Sequence, residues 1–290
     1  MSARRYERET TIAGLKETIS ALEFSPDGKV LASGCEDGSV TIFSTLDWKP
    51  LRTFIDASPS TSLVWHPQVE GLLFCGFRSG DVHTLQTNRP QRDLKIWTDK
   101  SPGPIHCLTH DSGQNVLALG SGKDVVLTNY STRDEDSLSW YNTRRLPPPP
   151  SFIHLHTSKH PDQAAQSVHF LQEPNSVVVS YLHHGITCWD RNSLSLVWQI
   201  TPRSCQIGRS CLSTDNGTIA VTNLFDGVDW YSIKSQRLVD SFRMLIEDNI
   251  VAPIIFDGTG SWISGGSCGA VRVIRPFPAI GIETLELEGE

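Results

Sequence analysis

Several ordinary features are scarce in this sequence, and each scarcity excludes a class. No run of about 18 apolar residues occurs, so nothing offers a membrane-spanning helix. The arginines of the opening MSARRYERET have no apolar segment behind them, which argues against a secretory leader. No C-x-x-C pair occurs among the seven cysteines, Cys35, Cys75, Cys107, Cys188, Cys205, Cys211 and Cys268. Most sit inside apolar runs, where a reduced thiol behaves as a small hydrophobe, so they read as core and not as disulfides or zinc ligands. Without a leader, the sequons at Asn129 and Asn216 carry no weight. The expectation is a soluble, intracellular protein, cytoplasmic or nuclear.

Positive charge is also short. A formal net charge of -7 and a pI near 5.8 leave no basic face for a nucleic acid. The patches at Arg4-Arg5 and Arg89 to Lys95 read as solvated surface. A charged share of only 20%, beside 38% hydrophobic residues with 8 Trp and 11 Phe, describes a globular chain with a packed core.

Helical periodicity is missing throughout its 290 residues. In its place are apolar runs of five to eight residues, rich in Val, Ile, Leu, Phe and Thr and bounded by Gly, Asp, Asn and Pro, which is strand chemistry. FSPDGKVLASGCEDGSVTIFS, Phe24 to Ser44, holds two turn signals, Asp27-Gly28 and Asp37-Gly38. The glycine before the third run recurs at Gly38, Gly80, Gly122, Gly185, Gly227 and Gly269, with spacings of 42, 42, 63, 42 and 42. Each unit has three apolar runs and a more polar fourth, in the first unit Ile19 to Phe24, Lys29 to Gly34, Ser39 to Phe43 and Pro50 to Ile55. The turns between first and second runs (PDG at Pro26, DSG at Asp111, DNG at Asp215, DGTG at Asp257) supply residues that tolerate positive φ. First-run alignment places Ala21, Ser62, Cys107, Ser167, Ser210 and Pro253 at one position, all small, as crowding around an axis requires. A four-stranded repeat of this length is one propeller blade.

Ser33-Gly34-(x3)-Gly38-(x4)-Phe43-Ser44 and Gly185-Ile186-Thr187-Cys188-Trp189-Asp190 resemble the WD40 signature, and the resemblance extends over essentially the whole chain. More narrowly, HFLQEPNSVVVSYLHHGITCWD followed by NLFDGVDWYS is similar to WD40-repeat-like proteins of fungi. The resemblance implies an all-β, WD40-like propeller of four-stranded antiparallel blades, a single domain over residues 1–290 that serves as a binding platform for other proteins without activity of its own. Gly14-Leu15 replaces the family's Gly-His, and the turn Asp kept at Asp37 and Asp226 is Ser79, Ser121, His184 and Cys268 elsewhere. The family's buried hydrogen-bond network is therefore incomplete in most blades, which leaves apolar packing to hold them.

Six repeats are countable. Two segments, Tyr6 to Ile12 and Gly281 to Glu288, compete to be the last fourth strand, so six blades, or seven with an incomplete last one, both stay open. A monomer is expected unless the ring is open and leaves strand edges unpaired. The irregular spacing of 63 places about 21 extra residues within Ser131 to Gln166, a stretch that includes Pro147 to Pro150. That tract reads as a stiff loop between blades, or as a polyproline II recognition segment.

Chemical constellations are weak. Gly265-Gly266-Ser267-Cys268-Gly269 fits G-x-S-x-G, but that motif needs a helix after it, and Ala270 to Ile274 reads as strand. Gly120-Ser121-Gly122-Lys123 lacks the first phosphate-loop glycine, where Leu117 stands, and has Asp124 in place of Ser or Thr. His154, His156 and His160 could hold a metal only with further ligands. No cofactor, metal or catalytic role is expected.

In a ring of this type the d-to-a and b-to-c loops meet on one face. The candidate partner-binding residues are Arg78, Lys123, His183, His184, Arg209 and Phe225, because arginine and aromatics dominate interface energetics. Phe225 is the expected apolar anchor, with Arg78 and Arg209 pairing acidic groups. The alternatives are a small-molecule-binding or enzymatic propeller using the central channel, and a truncated WD40 copy without independent function.

Overall fold

The computed structural model describes the chain apart from residues 1–8, 16, 88, 90–92, 99–102, 112, 135–136, 151–163, 173–174, 205, 245–250, 259, 266–269, 276–280 and 287–290, with backbone only at 94–98, 132–134, 137–139, 270 and 281–286. The described residues contain no helix, hence none long and apolar enough to cross a membrane. They form six four-stranded antiparallel sheets, the fold of a six-bladed β-propeller.

Each sheet takes four successive strands. The first is β1 (Ile19–Phe24), β2 (Val30–Cys35), β3 (Ser39–Ser44) and β4 (Pro50–Ile55). The second is β5 (Ser60–Trp65), β6 (Leu72–Phe77), β7 (Asp81–Gln86) and β8 (Leu94–Thr98). The third is β9 (Ile105–Asp111), β10 (Val116–Ser121), β11 (Asp124–Asp134) and β12 (Ser137–Arg145), and the fourth is β13 (Ala165–Leu171), β14 (Ser176–Tyr181), β15 (Gly185–Asp190) and β16 (Leu196–Ile200). The fifth is β17 (Ile207–Leu212), β18 (Thr218–Asn223), β19 (Gly227–Ser232) and β20 (Leu238–Arg243). The sixth is β21 (Ile254–Phe256), β22 (Trp262–Gly265), β23 (Ala270–Arg275) and β24 (Gly281–Glu286). By packing the chain divides into two compact units, Glu17–Ile207 and Gly208–Glu290 together with Met1–Lys16.

The second strands explain the composition. All six residues of β6, β10 and β14 are buried, as befits a strand paired on both edges and covered on both faces. In the first unit the core joins neighbouring sheets: Ala32 and Ile42 pack with Leu63, Leu73 and Phe77. In the second, Ala220 and Trp230 pack with Ile254 and Trp262.

The register carries a repeated close approach. Ala21 lies opposite Gly34, Ser62 opposite Gly76, and Cys107 opposite Gly120. A Cβ on Gly34 would collide with Ser60, and one on Gly76 would meet Ile105 of the following sheet. Small residues on β2 and β6 thus admit the next sheet's first strand, the crowding that the aligned small residues imply.

The pairing also corrects three details. Val40, Val82, Val125, Ile186 and Val228 are register-equivalent, facing Gly34, Gly76, Gly120, Ser180 and Thr222. The glycine markers are therefore not strictly equivalent: Gly38 precedes its strand, whereas Gly185 and Gly227 begin theirs. The last fourth strand is Gly281–Glu286, paired with β23 over six positions, while residues 9–12 are not strand and 6–8 lie outside the described residues. Part of the insert is not loop at all, for it lengthens β11 and β12 to 11 and 9 residues.

Candidate functional site

The turn between β18 and β19 is built around one side chain. Asn223, 2% exposed at the end of β18, accepts hydrogen bonds at Oδ1 from the amides of Phe225 (3.1 Å), Asp226 (2.7 Å) and Gly227 (3.0 Å). Its Nδ2 donates to Asp226 Oδ1 at 3.0 Å and to Asp229 Oδ2 at 3.1 Å. Asp229 is fully buried and accepts from Ser241 Oγ at 2.6 Å. Every polar atom of the Asn223 side chain is thereby used, and the amides of Phe225, Asp226 and Gly227 have their acceptor in it.

Phe225 sits on top of this clamp with 79% of its surface exposed. A large ring held in water by a rigid turn loses little conformational entropy on meeting a partner. Arg209 lies on β17, half-buried, its amide donating to Thr222 Oγ1 at 2.8 Å. It occupies the same end of the fifth sheet as Phe225, since β17 begins where β18 finishes.

The remaining candidates lie in the unit Glu17–Ile207. Arg78 is exposed in the β6–β7 turn, and its Nη2 donates to Glu36 Oε1 at 3.2 Å. Both side chains are about half exposed, so the pair is worth at most about 1 kcal/mol and a partner carboxylate can compete for the guanidinium. Lys123 is exposed in the β10–β11 turn, and His183 is half-buried in the β14–β15 turn. His184, expected to contact a partner, is instead 3% exposed and meets the Tyr181 ring edge-on at 6.3 Å. Its imidazole supports the turn from beneath.

The weak motifs resolve in part. The G-x-S-x-G stretch runs from β22 towards β23, another strand, though residues 266–269 lie outside the described residues. Lys123 lies in a strand-to-strand turn with no helix to form a phosphate loop. His154, His156 and His160 also lie outside the described residues. Among the described residues no group of three or more His, Cys, Asp or Glu could hold a metal ion.

The WD domain, G-beta repeat family matches residues 7–44, the stretch that contains β1, β2 and β3. The chain is a six-bladed β-propeller whose first repeat matches the WD40 model. Among curated proteins it is 25% identical over 122 residues to the Periodic tryptophan protein 2 homolog of Dictyostelium discoideum, a match covering 41% of this chain and 13% of that protein. The chain thus spans a small part of the length of this relative. WD40 propellers generally serve protein–protein interaction and are typically non-catalytic.

Two features escaped the sequence reading. Asn223 carries no motif, and only its position one turn before Asp226-Gly227 hints at a cap. The second is a cavity beside the β17–β18 and β21–β22 turns, whose walls Trp230 and Trp262 come from different repeats.

Proposed function

We propose that the protein is a non-catalytic interaction scaffold that binds a protein partner through the turns at the b-to-c end of its sheets. The observation that carries this reading is Phe225, exposed on a turn clamped by Asn223. Phe225 acts as the apolar anchor and Arg209, at the same end of its sheet, pairs an acidic group of the partner. Arg78, Lys123 and His183 contribute from the corresponding turns of the second, third and fourth sheets, and His184 acts indirectly by holding its turn. The low share of Lys and Arg favours a protein over a nucleic acid as that partner, in the cytoplasm or nucleus. The test is affinity purification from native cell extract with wild type and with Phe225→Ala. Stoichiometric partners recovered by wild type and lost by the variant are the expected result, and equal recovery by both would remove Phe225 and this face from the account.

A further inference from the structure

At the opposite end of the fifth sheet from Phe225, a cavity of about 870 Å³ opens beside the β17–β18 turn. Its walls are aromatic. Trp230 and Trp262 are 3% and 2% exposed, and the rings of Phe256 and Trp262 meet at 4.7 Å with a tilt of 57°. Asp215 and Asp240 also line it.

Three chemical demands converge here. Trp230 Nε1–H has no hydrogen-bond partner among the described residues, although a buried indole donor is normally paired. It lacks an acceptor. Trp262 and Phe256 line the cavity, and aromatic rings favour a cation held against their faces. The two carboxylates form no ion pair with a described residue. Asp215 accepts from Ser213 Oγ at 2.6 Å and from the Gly217 amide at 3.0 Å, bonds that hold its carboxyl below the usual range and keep it charged. Asp240 accepts at Oδ1 from the Ser241 amide at 2.8 Å.

An arginine in an extended peptide answers all three demands. Its guanidinium is planar, weakly hydrated and stacks on aromatic faces better than a lysine ammonium, and it forks onto carboxylates. Its peptide carbonyls are acceptors. We propose that this cavity binds an arginine side chain of a partner protein, with the guanidinium between the aromatic wall and Asp215 and Asp240, and with a peptide carbonyl accepting from Trp230 Nε1–H once a small shift of the ring bares that atom, which is enclosed in the unliganded protein. The site lies at the other end of the sheet from Phe225, so it stands whether or not that turn binds anything.

The experiment titrates the full chain with acetyl-Gly-Arg-Gly-amide, its glutamine counterpart and tetramethylammonium chloride, by calorimetry and by the indole N–H resonances in ¹⁵N NMR. Expected are a saturable shift of one buried indole N–H with the arginine peptide, and affinity at least about tenfold weaker for the glutamine peptide and for Asp215→Asn/Asp240→Asn. Asparagine keeps the acceptor that the β17–β18 turn uses, so this variant retains the fold, which a thermal melt verifies. Calorimetry reads its affinity without touching a tryptophan. No saturable binding at millimolar arginine peptide, or equal binding of the glutamine peptide, overturns the proposal. Tetramethylammonium binding as tightly as the peptide overturns it in favour of a small cation.

Discussion

Arg191 Nη1 donates to Asp111 Oδ2 at 2.6 Å, and the two side chains are 4% and 0% exposed. The pair joins the end of β9 to the residue after β15, across a sequence separation of 80. Both carboxylate oxygens and both terminal guanidinium nitrogens are engaged. Asp111 Oδ1 also accepts from the Gly113 amide at 2.9 Å and Gln172 Nε2 at 2.7 Å, while Arg191 Nη2 donates to Gln114 Oε1 at 3.3 Å. The guanidinium carbon stands 4.8 Å from the Phe170 ring centre. Burial pushes the Asp111 pKa up, but the bonds from Gly113, Gln172 and Arg191 outweigh it and hold the carboxyl below its usual value.

Breaking this pair from one side should be expensive. Arg191→Met leaves a carboxylate buried without its cation and should lower stability by about 3–5 kcal/mol. The double variant Arg191→Met/Asp111→Asn, which removes both charges, should recover part of that loss. Urea unfolding of the three proteins reads the difference, and a single-variant cost below about 1 kcal/mol would show that the pair is not buried in solution.

Acid should unfold the protein earlier than its carboxylates alone require. His66 accepts at Nδ1 from the amides of Gln68 (3.0 Å) and Val69 (2.9 Å), and its ring lies 4.8 Å from that of His110, which is bonded to the Tyr130 hydroxyl. Burial lowers both histidines to about 4, and each ring faces the other and Phe74. In the unfolded chain they titrate near 6.5. The native state therefore binds fewer protons between those values, so stability is full above pH 6.5 and is lost as pH falls toward 4. His66, 4% exposed, accounts for roughly 3 kcal/mol of this dependence. His66→Asn keeps an acceptor for the two amides, and its urea midpoint should change less than that of wild type between pH 7 and pH 5.

Two glycines in turns of the same sheet should respond differently to alanine. Gly28 has φ +70° and a Cβ there would meet nothing within 4 Å, whereas Gly38 has φ +84° and a Cβ there would overlap the Asp56 carbonyl oxygen. Gly28→Ala should cost about 1 kcal/mol, the penalty of a left-handed backbone alone. Gly38→Ala adds a clash with main chain and should exceed about 3 kcal/mol. Equal unfolding midpoints for the two variants would contradict the packing of the β2–β3 turn against residues 56–58.

Phe225→Ala should leave stability within about 0.5 kcal/mol of wild type, because the ring makes its area available to water. Asn223→Ala removes the acceptor of three amides and one of the donors to buried Asp229, and should cost about 2 kcal/mol or more. Thermal melts separate the two effects. A comparable loss for both variants would mean that Phe225 packs in solution and is no free anchor.

Strand positions were readable because period, turn residues and length agree: β1 and β4 have the bounds expected of them, and β2 and β3 differ by a residue. Register was not. Positive φ demands glycine somewhere in each turn, yet the turn can place it before the strand, as at Gly38, or on its first residue, as at Gly185. Of the candidate site, the exposure of Phe225, Arg78 and Lys123 followed from turn position. The burial of His184 did not, because two adjacent histidines in a turn carry no sign of which ring folds against Tyr181. The Asp111–Arg191 pair and the Trp230–Trp262 cavity are products of tertiary contact between repeats, and no local pattern encodes them.

That β24 completes the sixth sheet, as β4 completes the first, bears on how the chain is made. Each sheet is finished by the residues that follow directly on its first strand, so none waits for a partner synthesised long before. At about 5–20 residues per second, a ribosome delivers the strands of one sheet within several seconds. A pause in translation between sheets would therefore expose whole sheets, each strand already paired with its neighbours, and not fragments seeking a missing strand.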